Sequence, residues 1–172
     1  MKCSVPPGSR AKRLGFSLAE VVIALGVIAI AVIAILALFP AALQTGHSAQ
    51  DETRAAQIAQ TIFPSLAAQA VSQFNNVQFL LSDNATRSTP PLDLTTSSGA
   101  APALTLYAKN DGQLTQDATT AVYAILFYTN NAVAGFTDPA TANLITLRVA
   151  WPANAPAANR SYRDYVRIIS KY

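Results

Sequence analysis

Nineteen consecutive residues, 21–39, carry neither a charge nor a proline, and Gly26 is their only member that is not apolar. As a helix rising 1.5 Å per residue, such a run spans roughly 28 Å, about one hydrocarbon core. A helix apolar on every side needs an apolar surrounding, so a membrane segment is the expectation. One residue stands against that logic. Glu20 heads the run, and a lone ionised carboxylate in hydrocarbon costs several kcal/mol unless it is paired.

The 172 residues suffice for one ordinary domain and an accessory segment. Their composition, 51% hydrophobic and 12% charged, is apolar and charge-poor for a soluble domain. The net charge of +3 is unevenly placed. Lys2, Arg10, Lys12 and Arg13 precede the apolar run without any acid, whereas residues 16–172 hold eight Lys/Arg and nine Asp/Glu. A basic leader of this kind holds its side of a membrane segment in the cytoplasm. Arg160, Arg163, Arg167 and Lys171 are spaced along an expected strand with Asp164 among them, which reads as a solvated strand face. No nucleic-acid patch is evident. Cys3 is the only cysteine, so no intrachain disulfide can form.

Three segments follow from these patterns: a basic leader at 1–15, an apolar helix at 16–40, and a globular region at 41–172. Pro40 closes the apolar helix and is expected to kink it. Ile58, Ile62, Leu66, Ala70 and Phe74 recur four apart, with Ala55, Ala59, Phe63 and Ala67 widening the stripe. This predicts an amphipathic helix over 41–75, bent or split at Pro64. Residues 82–102 are rich in Ser, Thr, Pro, Ala and Gly and read as a long surface loop. Antiparallel strands are expected over 103–172, about four in number. They comprise a hairpin around Asn110, Asp111 and Gly112, an apolar strand at 121–129, an alternating strand at 144–151 and a last one at 162–172. Helix first and strands after predict an α+β domain, its amphipathic helix laid on one sheet face.

Catalysis has little to stand on. His47 is the sole histidine, and Ser48 and Asp51 beside it on one helix do not make a triad of converging groups. There is no glycine-rich phosphate loop, no CxxC and no histidine pair, so neither an enzyme nor a cofactor is expected. Asp111 and Asp117 share one hairpin and are the candidate ligands for a calcium ion, which needs several converging oxygens.

The junction between leader and helix is more specific. Residues 12–20 read KRLGFSLAE, combining basic charge, Gly15, Phe16 and a glutamate five positions after the glycine, directly before the apolar helix. This resembles the class III signal of type IV prepilins and type II secretion pseudopilins, and the order of helix, loop and sheet is similar to a minor pilin. The motif covers residues 12–39, about one-sixth of the chain. The resemblance implies cleavage by a prepilin peptidase between Gly15 and Phe16, with N-methylation of Phe16. It implies storage in the inner membrane with the leader cytoplasmic and the C-terminal domain periplasmic. Assembly with other pilin or pseudopilin subunits would follow, through inner-membrane platform proteins. Glu20 is then an assembly group that neutralises the new Phe16 amine of a neighbouring subunit, and membrane lipid is the partner before assembly. The chain departs from the family pattern in placing Pro40 at the end of the apolar half instead of within it. Two other classes of protein stay open: a single-pass anchored binding module, and a secreted domain with an ordinary signal peptide ending near Ser48.

Overall fold

Ser17 opens a single helix, α1, which runs over Leu18–Ala70 and contains 53 residues. The computed structural model describes residues 17–83, 86–133 and 141–171. The chain forms two units, Met1–Gly46 and His47–Tyr172. The leader, Gly15 and Phe16 lie outside the described residues.

In the first unit, residues 18–46 are helical and exposed throughout. Their many valines and isoleucines are indifferent helix formers in water. In hydrocarbon, however, every backbone N–H of a spanning segment must be satisfied within the protein, and the helix does this locally. The helix passes through Pro40 and Pro64 without being split at either. Each proline lacks an N–H, which costs the carbonyls of Leu36 and Gln60 their usual donor four residues on.

In the second unit, residues 47–70 of α1 pack on the sheet. Ala55, Ile58, Ala59, Ile62, Phe63, Leu66 and Ala70 are buried, the stripe read from the four-residue spacing. The helix ends at Ala70, short of the expected residue 75. Gln69 turns the chain there: its carbonyl accepts the N–H of Gln73 at 2.8 Å, and its side-chain Oε1 accepts that of Gln78 at 3.2 Å. Phe74 still enters the core, from outside the helix.

Five antiparallel strands form one sheet: β1 (Leu104–Ala108), β2 (Leu114–Thr115), β3 (Tyr123–Asn130), β4 (Ala142–Trp151) and β5 (Ser161–Ser170). Their spatial order is β2-β1-β3-β4-β5, so the long strands occupy one side and the two-residue β2 closes the other. The fold is α+β and pilin-like, and its five strands match the hairpin and three further strands expected. The register places Leu106 opposite Ile125, Ile125 opposite Val149 and Phe127 opposite Leu147, all fully buried on the face toward the helix. Gly112 makes the β1–β2 turn possible. Its φ of +84 follows a turn closed by its own N–H to the Lys109 carbonyl at 3.0 Å, and side chains rarely adopt that conformation.

The stretch 82–102 differs from the surface loop expected of it. Leu92 and Leu94 are fully buried, and Leu92 and Val77 exchange backbone hydrogen bonds at 2.8 and 3.0 Å. The polar residues around these two leucines dominate the composition, but the polar neighbours face outward while the leucines close the core. Asn143, also fully buried, holds the stretch in place. Its Nδ2 donates to the carbonyls of Leu94 at 2.7 Å and Thr96 at 3.3 Å, and its Oδ1 accepts the Asn130 N–H at 2.9 Å.

Candidate functional site

The first candidate site is the exposed half of α1. Every large apolar side chain within 18–39 is between 47% and 84% exposed. The segment is long and apolar enough to cross a membrane. Removing these side chains from water is worth about 2 kcal/mol each, on the order of 20 kcal/mol in all. That exceeds the several kcal/mol that one carboxylate at the segment end costs.

Glu20 sits in the first turn and is part of the helix start itself. Its backbone N–H donates to Ser17 Oγ at 3.2 Å, and its Oε2 accepts the Ser17 N–H at 3.4 Å. This reciprocal pair is a capping box, which satisfies two donors that the first turn of a helix leaves open. The signal was present in the sequence as Ser-Leu-Ala-Glu, and the reading of Glu20 as a group awaiting a neighbour passed over it. In water the carboxylate serves its own helix start, and it lies on an exposed turn that a second group can still reach.

A second candidate is a polar cleft in the His47–Tyr172 unit, between α1 and the β1–β2 turn. Two adjoining recesses of about 340 and 670 Å³ both border Arg54, Gln57, Asn110 and Tyr123. Arg54 Nη1 donates to the Asn110 carbonyl at 2.7 Å. The Tyr123 hydroxyl donates to Asp51 Oδ1 at 3.0 Å. Burial of the phenol, reinforced by its hydrogen bond to the Asp51 carboxylate, pushes the Tyr123 pKa up to about 12. These bonds tie the helix to the β1–β2 turn and to β3, and the cleft is lined by one cation, Arg54, two carboxylates, Asp51 and Asp111, and neutral amides.

The aspartates singled out for calcium each serve a turn. Asp111 Oδ1 accepts the Gln113 N–H at 3.0 Å, while Asp117 Oδ1 accepts both the N–H and the hydroxyl of Thr119, at 2.9 and 2.7 Å. The nearby carboxylate of Asp83 takes Lys109 Nζ at 2.6 Å and the Thr115 hydroxyl. Hydrogen bonding from Lys109 and then from Thr115 holds the Asp83 pKa below its ordinary value, and the same contact raises that of Lys109. Among the described residues, no three His, Cys, Asp or Glu side chains converge as a metal site. His47 is exposed on α1, and Arg163 of β5 pairs with Glu52.

Comparison of the chain with protein-family models, with curated proteins and with solved structures gave no match.

Proposed function

We propose that this chain is a structural subunit, a minor pilin or pseudopilin, of a type IV pilus-like filament or type II secretion pseudopilus. The observation that carries the reading is the exposed apolar half of α1, headed by one carboxylate in the setting GFSLAE. An anchored helix can use Glu20 only as a cap for its own first turn, a task a neutral glutamine would also perform. A subunit that leaves the membrane to pack among like helices can use the charge as well.

On this reading a prepilin peptidase cuts between Gly15 and Phe16 and the new terminus is N-methylated. The protein waits in the inner membrane as a single-pass chain, its sheet domain periplasmic. Platform proteins then feed it into the filament, where apolar helices exchange lipid for one another. The amine of Phe16 is created four residues before Glu20, and in a staggered bundle the carboxylate of one subunit neutralises the amine of the next. Such a pair adds little net stability but fixes register, because a misplaced neighbour leaves a charge buried alone. Ala24, Gly26, Ala29, Ala31, Ala34 and Ala37 allow close helix approach. The protein is then a substrate of the peptidase and not itself a catalyst.

A single-pass anchored binding module is the second reading, favoured by the polar cleft at Arg54. Intact mass with N-terminal fragmentation of the protein from its native membrane separates the two. A chain beginning at N-methylated Phe16 is the result expected of a filament subunit. One beginning at Met1 makes it an anchored module, and one beginning near Ala49 makes it a secreted domain.

A further inference from the structure

Strand β5 forms the long open edge of the sheet. It has ten residues, and among the described residues β4 is its one neighbouring strand. The pairing phase shows which of its backbone groups face away from β4. The Lys171 N–H bonds to the carbonyl of Thr141, its counterpart across the ladder, at 2.9 Å. Hydrogen-bonded pairs alternate along an antiparallel ladder, so the odd-numbered residues of β5 direct their backbone groups at β4. Tyr162, Asp164, Val166 and Ile168 direct theirs outward, and among the described residues these N–H groups have no acceptor. Tyr162, Val166 and Ile168 are each at least half exposed. Edge strands are kept from pairing by being short, bulged, interrupted by proline or charged. β5 is neither short nor interrupted by proline, and its safeguard is charge alone, Arg163 and Arg167 on its inward face.

A second feature lies beside this edge. On the helix side of the sheet, α1 and β5 border a recess of about 320 Å³, lined by Ala56, Gln60, Phe63, Pro64, Tyr165 and Arg167. The Arg167 guanidinium lies 6.0 Å from the centre of the Phe63 ring and makes no ion pair among the described residues.

We propose that β5 accepts an extended segment of a partner protein as a sixth strand, and that this segment carries a carboxylate among apolar residues. Its backbone would pair with the outward groups of Tyr162, Asp164, Val166 and Ile168. Its inward side chains would enter the recess, an apolar one against Phe63 and Pro64 and the acid against Arg167. Charge decides against a second copy of β5 as the occupant. Antiparallel strands oppose residues of the same face, and the inward row of β5 holds Arg163, Arg167 and Lys171 with no acid. Two such rows would bring like charges together. The inference is independent of the filament reading, since it concerns the second unit alone.

The test uses the full chain in detergent micelles and two synthetic nine-residue peptides of alternating valine and threonine, one with a central glutamate and one with a central lysine. The glutamate peptide should slow hydrogen exchange at Val166 and Ile168 at least tenfold, and the lysine peptide should not. Val166→Pro removes an outward N–H without touching the β4 ladder, so it should abolish the slowing while the Arg167 amide stays protected. Arg167→Glu should transfer the preference to the lysine peptide. No slowing by either peptide, or equal slowing by both, overturns the proposal. So does protection of Val166 without peptide that rises with protein concentration, which would make the occupant a second copy. None of these outcomes bears on where the mature chain begins.

Discussion

Ser17 and Glu20 cap one another, the serine hydroxyl accepting the glutamate N–H and the glutamate carboxylate accepting the serine N–H. The acid that looks misplaced at the head of an apolar helix therefore has a local task before any partner arrives. That task can be separated from its charge, because a neutral amide also completes a capping box.

Glu20→Gln should keep the helix start and lose the charge. We expect unchanged amide protection at residues 18–22, normal peptidase processing, and a fall of tenfold or more in recovery of the subunit from sheared filaments. Ser17→Ala should do the reverse, weakening the helix start by about 1 kcal/mol while sparing assembly. Normal incorporation of the glutamine variant would remove the assembly role assigned to Glu20.

The Tyr123–Asp51 bond joins β3 to α1 across 72 residues of sequence. A phenol whose pKa is raised on folding lends stability that is complete below its ordinary value of 10 and disappears as pH climbs towards 12. Denaturation midpoints measured from pH 8 to 12 should fall across that interval. In Tyr123→Phe the fall should be shallower, from a starting stability lower by about 1–2 kcal/mol.

Asp83 and Lys109 make the opposite prediction at acid pH. The Asp83 pKa is depressed below 3.8, so its contribution is present above that value and is lost as pH falls through the folded one. Asp83→Asn should be less stable than the native chain at pH 6, and the difference should shrink as pH falls below 3.8. A stability difference independent of pH across that acid range would assign the loss to packing and not to the ion pair.

Asn143 directs its side-chain bonds at backbone groups, of which the Leu94 carbonyl is buried. Asn143→Leu would orphan that carbonyl at about 1–3 kcal/mol. We expect a loss of roughly 2 kcal/mol by chemical denaturation. Thr129→Val should behave differently, since the buried Thr129 Oγ1 has no hydrogen-bond partner among the described residues. The native melting temperature should be kept or exceeded.

Much of this architecture was legible in residue order because it rests on local periodicity. The four-residue recurrence from Ile58 to Ala70 named the buried face of α1, and alternation at Ile145, Leu147 and Val149 named that of β4. What escaped notice was non-local or masked by neighbours. Leu92 and Leu94 are two apolar residues in a polar stretch, and only the partners Val77 and Asn143 show why they are buried. The pairing of Asp83 with Lys109 joins residues 26 apart, so neither aspartate spacing nor turn chemistry pointed to it.

The apolar half of α1 and its acidic head were decided by sequence alone, since hydrophobicity on every side of a helix dictates its surroundings whatever the rest of the chain does. The order β2-β1-β3-β4-β5 was decided only by the tertiary structure. Strand order follows from which faces bury the most apolar surface together, a property of the whole core and of no single segment. That order is also what leaves β5 at the edge and places Arg167 beside Phe63 of α1.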